Sequence, residues 1–136
     1  MTHSVAGSLL DVGPVSHRRI ALGKTGEDLA CAELERRGYA ILARRFRCRV
    51  GEIDIIARDG TTVVFVEVKA RESRAFGAAA EAVTSYKQRR IATIAAEYVM
   101  QHHLQNRPCR FDVVSIHCDG GQTVVEVFQN AFSSRG

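Results

Sequence analysis

The stretch that decides the fold is Gly51–Arg71, with the sequence GEIDIIARDGTTVVFVEVKAR. Two segments rich in Ile, Val and Phe flank the turn dipeptide Asp59-Gly60, and this pattern predicts a β-hairpin. Both arms also carry charged residues inside their apolar runs, where burial should be greatest. Because a carboxylate in a low-dielectric environment is costly without a compensating cation or hydrogen-bond donor, these acids need a physical explanation.

The predicted hairpin gathers three acids and one lysine on one of its faces. A tight turn centred on the Asp-Gly dipeptide puts Asp54 opposite Phe65 and puts Glu52 opposite Glu67. Side chains alternate between the two faces of a strand, so the charged residues that share a face are Glu52, Asp54, Glu67 and Lys69. Like charges directly across a ladder destabilise the pairing, which makes this face unfavourable unless something positive lies against it.

A divalent cation would resolve this conflict, because one lysine is a poor match for three carboxylates. Mg²⁺ typically takes one or two protein carboxylates together with water and substrate phosphate. The sequence therefore predicts a site for Mg²⁺ or Mn²⁺. The alternative is that this end of the hairpin is wet and its charges are simply solvated, and strand alternation alone leaves both interpretations open.

Length and composition indicate a single globular domain. The chain has 136 residues, of which 46% are hydrophobic and 25% are charged, enough for one real core and too few for two ordinary domains. Residues 1–19 lack periodicity and are expected to form a flexible N-terminal tail, which leaves residues 20–136 as the domain. No apolar run approaches membrane-spanning length, so we expect a cytoplasmic protein without a membrane partner.

The basic residues are unusual in kind, and they favour a nucleic-acid partner. The net charge is +4, and only three of the 19 basic residues are lysines. Arginine presents a planar fork of donors that suits phosphate. The predicted nucleic-acid contacts flank the acidic hairpin: Arg44, Arg45, Arg47, Arg71 and Lys87. An arginine-rich genome would produce much of this bias without any function, and an exposed lysine at a helix start is the plainer account of Lys87.

Periodicity and turn residues predict the element order αβββαββ. We expect a helix at 26–37, strands at 39–45, 51–58 and 61–70, a helix at 85–103, and strands at 111–117 and 123–128. Ser85 and Gln88 have the spacing of a capping box at the start of the second helix. The four cysteines contain no C-x-x-C pair, so neither a zinc site nor a redox motif is indicated. The order of elements predicts an α/β fold with a mixed central sheet flanked by helices.

The motifs around the hairpin resemble those of a known group of nucleases. Asp54 followed by Glu67-Val68-Lys69 resembles the PD-(D/E)XK nuclease superfamily, whose members with the most similar layout include archaeal Holliday-junction resolvases. More closely, the chain resembles the uncharacterised bacterial YraN-like family over roughly residues 20–132. This second resemblance is carried by G-x-x-G-E at 23–27, GY at 38–39, GEIDIIA, FVEVKAR and RFDVV. The implied fold has a restriction-endonuclease-like core.

The resemblance implies a role for each of several residues. Asp54 and Glu67 would be metal ligands, with the backbone carbonyl of Val68 as a third oxygen. Lys69 would orient or deprotonate the attacking water. Glu27, on the first helix, would come over the same face to bind a second metal or to hold water. Together these roles imply metal-dependent hydrolysis of a phosphodiester bond.

Other roles and other functions stay open at the level of the sequence. Glu52 either joins the site or pairs with an arginine. We favour an endonuclease acting on DNA, with branched or otherwise structured DNA among the candidate substrates. The alternatives are a catalytically idle nucleic-acid-binding domain of the same fold and an interaction domain with a structural acid cluster. A homodimer would suit junction cleavage, but no segment of the sequence marks an interface.

Overall fold

The computed structural model describes residues 4–10, 24–70 and 83–133, and these form one six-stranded sheet with two helices. The elements are β1 Ser4–Leu10, α1 Lys24–Arg36, β2 Ala40–Cys48, β3 Gly51–Asp59, β4 Thr62–Ala70, α2 Ser85–Gln101, β5 Cys109–Asp119 and β6 Gln122–Phe132. The predicted α/β class is confirmed, and the predicted order αβββαββ gains one strand at its start. Neither described helix is long and apolar enough to span a membrane.

The sheet is mixed, with the strand order β1-β6-β5-β4-β3-β2. Its neighbouring strands are antiparallel except for β4 and β5, which run parallel. Parallel neighbours need a crossover connection, and the chain between these two strands includes α2. The continuous apolar runs of β3 and β4 are explained by this arrangement, since the sheet is buried on both faces at its centre.

Two hydrophobic clusters hold the helices against opposite faces of the sheet. The cluster that contains α1 residues includes Ala30, Leu34, Tyr39, Ile55, Val66, Val114 and Val127. The cluster that contains α2 residues includes Ile53, Ile56, Phe65, Ile91, Ile94, Tyr98 and Phe111. Aromatic rings fill the second cluster, where Tyr98 meets Phe46 and Phe65 edge to face at centroid separations of 5.1 and 6.1 Å.

The hairpin turn lies one residue later than predicted, with Gly60 and Thr61 between the paired residues Asp59 and Thr62. Gly60 has φ of 62°, a left-handed conformation that glycine adopts without a steric penalty. Moving a turn by one residue shifts the cross-strand pairing by two residues. The predicted pairs are therefore wrong, whereas a shift of two preserves the face on which each side chain lies.

The predicted N-terminal tail is wrong at residues 4–10, which form the edge strand β1. This strand pairs antiparallel with β6 from Ser4 opposite Gln129 to Leu10 opposite Thr123. Its sequence, SVAGSLL, has little alternation of polar and apolar residues. An edge strand can be held by main-chain hydrogen bonds to one neighbour, and such pairing leaves only a weak signal in the side-chain pattern. The rest of the predicted tail lies outside the described residues.

The second helix begins with a cap one residue earlier than predicted. Thr84, rather than Ser85, is the N-cap, and its hydroxyl accepts a hydrogen bond from the Lys87 amide at 3.2 Å. The side-chain amide of Gln88 donates to the Val83 carbonyl at 2.9 Å. The cap fixes the first turn of α2 beside the charged end of the hairpin.

Candidate functional site

The hairpin opens at its charged end, where β3 changes face. The β3–β4 pairing stops at Ile55 and Val66. Ile55 packs in the cluster on the α1 side, whereas Ile53 packs in the cluster on the α2 side. Residues two apart should share a face, so the strict alternation that we predicted through Asp54 is wrong. At the same level of β2, Arg45 has a φ of 54°, which interrupts the regular geometry of that strand as well.

The carboxylate of Asp54 lies at this interruption and bridges the opening strands. Its Oδ2 accepts a hydrogen bond from the Val68 amide at 2.8 Å, although Phe65, its predicted cross-strand partner, pairs with Ile56. Burial and the nearby carboxylate of Glu67 raise the pKa of Asp54 to about 7, against the opposing effect of the Val68 amide. The folded protein therefore disfavours the ionised form of Asp54, because its carboxylate is buried and lies near that of Glu67.

Two lysines flank the buried carboxylate of Glu67. The Lys87 ammonium lies 2.6 Å from Glu67 Oε2, and the Lys69 ammonium lies 3.9 Å from the same oxygen. Burial and the neighbouring Lys87 lower the pKa of Lys69. Burial also lowers the pKa of Lys87, but its hydrogen bond to Glu67 and its contact with Lys69 outweigh burial, so the net direction is upward. Lys87, which we predicted to contact phosphate, pairs with a carboxylate here.

Glu27 reaches the same region from the first turn of α1. Its carboxylate is largely buried, and its Oε1 accepts a hydrogen bond from Arg45 Nε at 2.9 Å. The guanidinium of Arg44 lies 3.8 Å from the same oxygen and donates to Asp28 at 2.6 Å. The charge of Glu27 also raises the pKa of Asp54, behind burial and Glu67, so it acts on the same group.

One cavity of about 670 Å³ brings the predicted acids together. Its walls include Glu27, Glu52, Asp54 and Glu67, with Arg45, Lys87, Arg90 and the apolar Ile91 and Ile94. Glu52 accepts a hydrogen bond from Arg47 at 3.2 Å, the arginine pairing that the sequence left open. Lys69 lies beside these acids, because its ammonium is 3.9 Å from Glu67 Oε2. Arg71 lies outside the described residues.

The predicted arginine contacts are exposed but engaged with acids. Side chains of Arg44, Arg45 and Arg47 are 39%, 49% and 72% exposed, and each forms an ion pair with an acid of α1 or β3. These pairs tie β2 to its neighbours at the cavity rim. The acids are the less exposed members of these pairs, and the guanidinium groups keep enough exposed surface to meet an anion.

The donor set fits a divalent cation held by two carboxylates. Within the described part of the chain, no group of three or more His, Cys, Asp or Glu residues could hold a metal ion. The charge of Glu67 nevertheless raises the pKa of Asp54, and both carboxylates line the same cavity. Mg²⁺ commonly takes one or two carboxylates and completes its shell with carbonyl, water or phosphate oxygens, so this pair fits Mg²⁺ or Mn²⁺.

The sequence reasoning missed Tyr86 and Thr84, which also line the cavity, and noted Arg90 only as a member of a basic cluster with Lys87 and Arg89. All three lie at or near the start of α2, where Lys87 was the one residue predicted to belong to the site. The sequence feature that could have indicated these residues is an aromatic residue close to three basic residues, in the segment TSYKQRR.

A second cavity, of about 590 Å³, lies between α2 and the ends of β5 and β6. Its described lining includes Phe65, Ala92, Val99, Phe111 and Phe132, and contains no carboxylate. The carboxylates and lysines that could take part in a reaction therefore lie at the first cavity.

Comparisons with known proteins match the chain to one family. Residues 26–116 match the model of a family described as "Uncharacterised protein family UPF0102". A protein from Geobacter metallireducens is 50% identical over 112 residues, which covers 82% of this chain and 92% of that protein. A relative from Caldicellulosiruptor saccharolyticus is 44% identical over 113 residues, which covers 82% of this chain and 96% of that protein. A relative from Pseudomonas aeruginosa is 43% identical over 116 residues, which covers 82% of this chain and 92% of that protein. All three carry the name "UPF0102 protein".

Among solved structures, that of Pyrococcus furiosus SfsA in complex with Ca²⁺ is similar, with a TM-score of 0.39 and 15% sequence identity. The similarity covers 79% of this chain and 62% of that chain, so this protein spans less than two thirds of the other.

Proposed function

This chain belongs to the uncharacterised protein family UPF0102, the YraN-like family that its motifs resemble, and we propose that it is a metal-dependent endonuclease that hydrolyses DNA phosphodiester bonds. The observation that carries the proposal is the convergence of Asp54 and Glu67 on one cavity, beside two lysines and at the point where the hairpin opens. The PD-(D/E)XK assignment is part of this proposal.

Asp54 and Glu67 would hold the cation, with the Val68 carbonyl as a third protein oxygen. A bound Mg²⁺ or Mn²⁺ supplies Lewis acidity toward the phosphoryl group and lowers the pKa of water. Burial and then the neighbouring Glu67 carboxylate raise the pKa of Asp54, and this supports the assignment because a bound cation would stabilise the ionised form against both effects. The Val68 amide holds one oxygen of Asp54 in place.

Lys69 is proposed to orient the attacking water or remove its proton. A lysine acts as a base only when its pKa falls toward neutrality, and burial together with Lys87 moves the pKa of Lys69 in that direction. The water oxygen bonds to phosphorus as the bond from phosphorus to the leaving sugar oxygen breaks. Glu27 is proposed to hold water or a second cation at the α1 side of the cavity.

The surrounding cations are proposed to bind the DNA backbone. Arg45 lines the cavity, and Arg44 and Arg47 pair with the cavity acids Glu27 and Glu52. Arg71 follows β4 in the sequence. Lys87 neutralises Glu67 and would compensate a phosphate brought to the same place. Such contacts favour DNA of any sequence.

A second candidate is a nucleic-acid-binding domain that does not cleave. Three of the cavity acids already have a cationic partner: Glu27 with Arg45, Glu52 with Arg47, and Glu67 with Lys87. A site compensated in this way is stable without metal. This observation favours the idle domain if the lysine–glutamate pair persists when divalent cations are added.

Cleavage of a substrate panel decides between the two. The protein is incubated with linear, flapped and four-way-branched DNA, with Mg²⁺, with Mn²⁺ or with a chelator. The proposal predicts metal-dependent strand cleavage by the wild type, lost in Lys69→Ala while DNA affinity changes little. DNA binding without cleavage under every metal condition would establish the second candidate instead.

A further inference from the structure

Tyr86 is an exposed aromatic residue at the mouth of the carboxylate cavity. The residue is 64% exposed, and it lies in the first turn of α2, next to the Lys87 that pairs with Glu67. The ring lines the carboxylate cavity and also an adjoining groove of about 440 Å³, so it forms the boundary between them. A ligand that reaches the carboxylates by way of the groove must pass this ring.

Arg90 is held beside the ring by the turn between β2 and β3. Its Nε donates a hydrogen bond to the Val50 carbonyl at 2.7 Å, and its guanidinium carbon lies 6.0 Å from the centre of the Tyr86 ring. A Cβ on Gly51 would lie 3.2 Å from two nitrogens of this guanidinium, so a larger residue at position 51 would crowd Arg90 in this position. The ring and the cation are therefore positioned together before any ligand binds.

The groove combines positive charge with an aromatic surface. Its described lining consists of Val50, Tyr86, Arg89, Arg90 and Thr93 and includes no acid. Exposed Arg89 and Arg90 suit phosphate, and a flat ring suits the face of a base. Single-stranded nucleic acid is recognised by this combination, in which cations follow the backbone and aromatic side chains stack on bases.

From this arrangement we infer that Tyr86 stacks on an unpaired base while Arg89 and Arg90 contact its flanking phosphates. The substrate class is then DNA with an unpaired nucleotide next to the phosphodiester that enters the carboxylate cavity. In an intact duplex the base faces are covered by stacking, so an exposed ring gains a partner only from a flap, gap or single strand. The inference rests on the proposed function for the neighbouring cavity, and it names the structure that this cavity would receive.

The test measures binding alone, in a chelator, so that no cleavage takes place. Fluorescence anisotropy compares a blunt duplex with duplexes of the same length that carry a 5′ or a 3′ single-stranded flap. Because stacking contributes about 1–3 kcal/mol per base, Tyr86→Ala should weaken flap binding about 5- to 150-fold and leave blunt-duplex binding within about twofold. Tyr86→Phe keeps the ring and should bind like the wild type. Met100→Ala, which truncates an equally exposed side chain of α2 (60% exposed), is the matched control.

A 2-aminopurine placed at the unpaired position reports stacking directly. Its fluorescence should be quenched when the wild type or Tyr86→Phe binds, and not when Tyr86→Ala binds at saturating concentration. Equal loss of flap and duplex binding in Tyr86→Ala, absence of quenching, or wild-type protein that binds no DNA would each overturn the inference. If stacking is observed here but the wild type does not cleave DNA in the separate assay with Mg²⁺ or Mn²⁺, the proposed function of the carboxylate site fails and the inference about Tyr86 stands.

Discussion

Two acids near the centre of the sheet, Asp112 and Asp54, have opposite surroundings. Asp112 is fully buried, and its oxygens accept hydrogen bonds from the Tyr39 hydroxyl at 3.2 Å, from Arg110 Nε at 3.0 Å and from the Asn130 amide at 2.9 Å. Asp54 accepts a hydrogen bond from the Val68 amide and has a second carboxylate, that of Glu67, beside it.

Asp112 stabilises the fold through its hydrogen bonds, whereas keeping Asp54 beside Glu67 costs the folded protein free energy. The Asp112 network is closed, because Gln129 and Arg110 both donate to the Tyr39 hydroxyl, at 2.8 and 2.7 Å, and Arg110 also reaches Asp59. Buried polar networks of this kind are stabilising when every member is satisfied. Around Asp54 the same sheet keeps two carboxylates together in an open cavity, and carboxylates are the side chains that would hold a divalent cation in the proposed function.

The largest expected effect is the loss of cleavage on neutralising the open cavity. If metal contributes several kcal/mol to the transition state, Asp54→Asn or Glu67→Gln should lower kcat by about a thousandfold or more. DNA affinity measured in a chelator should change little for these variants. Initial rates at saturating DNA provide the measurement, and activity within about tenfold of the wild type would remove these residues from the reaction.

Truncating the closed network should have the largest effect on stability. Asp112→Ala leaves the mostly buried Arg110 and the Asn130 amide without their partner, so the free energy of unfolding should fall by about 3 kcal/mol or more. Urea denaturation without metal provides the measurement. Asp54→Asn, measured alongside, should be as stable as the wild type or more so, and a comparable loss in both variants would erase the distinction between the two regions.

The stability of the metal-free protein should depend on pH through Asp54. Its folded pKa is about 7 and its ordinary value is 3.8, so between these values the folded state keeps a proton that the unfolded state has lost. The free energy of unfolding should therefore fall as pH rises from about 4 to about 7, by at most about 1.4 kcal/mol per pH unit. Denaturation of wild type and Asp54→Asn across this range isolates the contribution. Parallel curves for the two proteins would show that Asp54 titrates normally.

The smallest effect concerns the cap that holds α2 at the cavity mouth. Thr84→Ala removes the acceptor of the Lys87 amide and should cost about 1 kcal/mol of stability, an ordinary value for an N-cap. Thr84→Ser keeps the acceptor and should behave like the wild type. Thermal unfolding of the three proteins would reveal whether the cavity end depends on this cap, and identical unfolding temperatures would show that it does not.

Much of the fold was predictable from the sequence because its strands and helices carry strong periodic patterns. The hairpin, both described helices and the α/β class follow from apolar spacing and turn residues. The convergence of Asp54 and Glu67 was also predictable, and it survived a register error because the pairing moved by two residues. The edge strand β1 was missed because its pairing is made by the backbone, which leaves little trace in SVAGSLL.

Details of the site depend on geometry that the residue order does not carry. Arg45 adopts a left-handed conformation that its side chain does not favour, and nothing in its neighbours predicts this. β3 changes face at Asp54 because Ile53 packs in the cluster on the α2 side and Ile55 packs in the cluster on the α1 side. The contact between Lys87 and Glu67 joins residues that are adjacent only after α2 packs, so a sequence pattern could suggest a phosphate contact instead.

Thermal unfolding during a titration with Mg²⁺ and with Mn²⁺ tests most directly whether the open cavity is a cation site. A cation that binds the folded state stabilises it by RT ln(1 + [L]/Kd), about 2.7 kcal/mol at a hundredfold excess over Kd. We predict that millimolar Mg²⁺ or Mn²⁺ raises the unfolding temperature of the wild type and of the weakened Asp112→Ala variant, but not that of Asp54→Asn. A wild type whose unfolding temperature is indifferent to both cations would contradict the account.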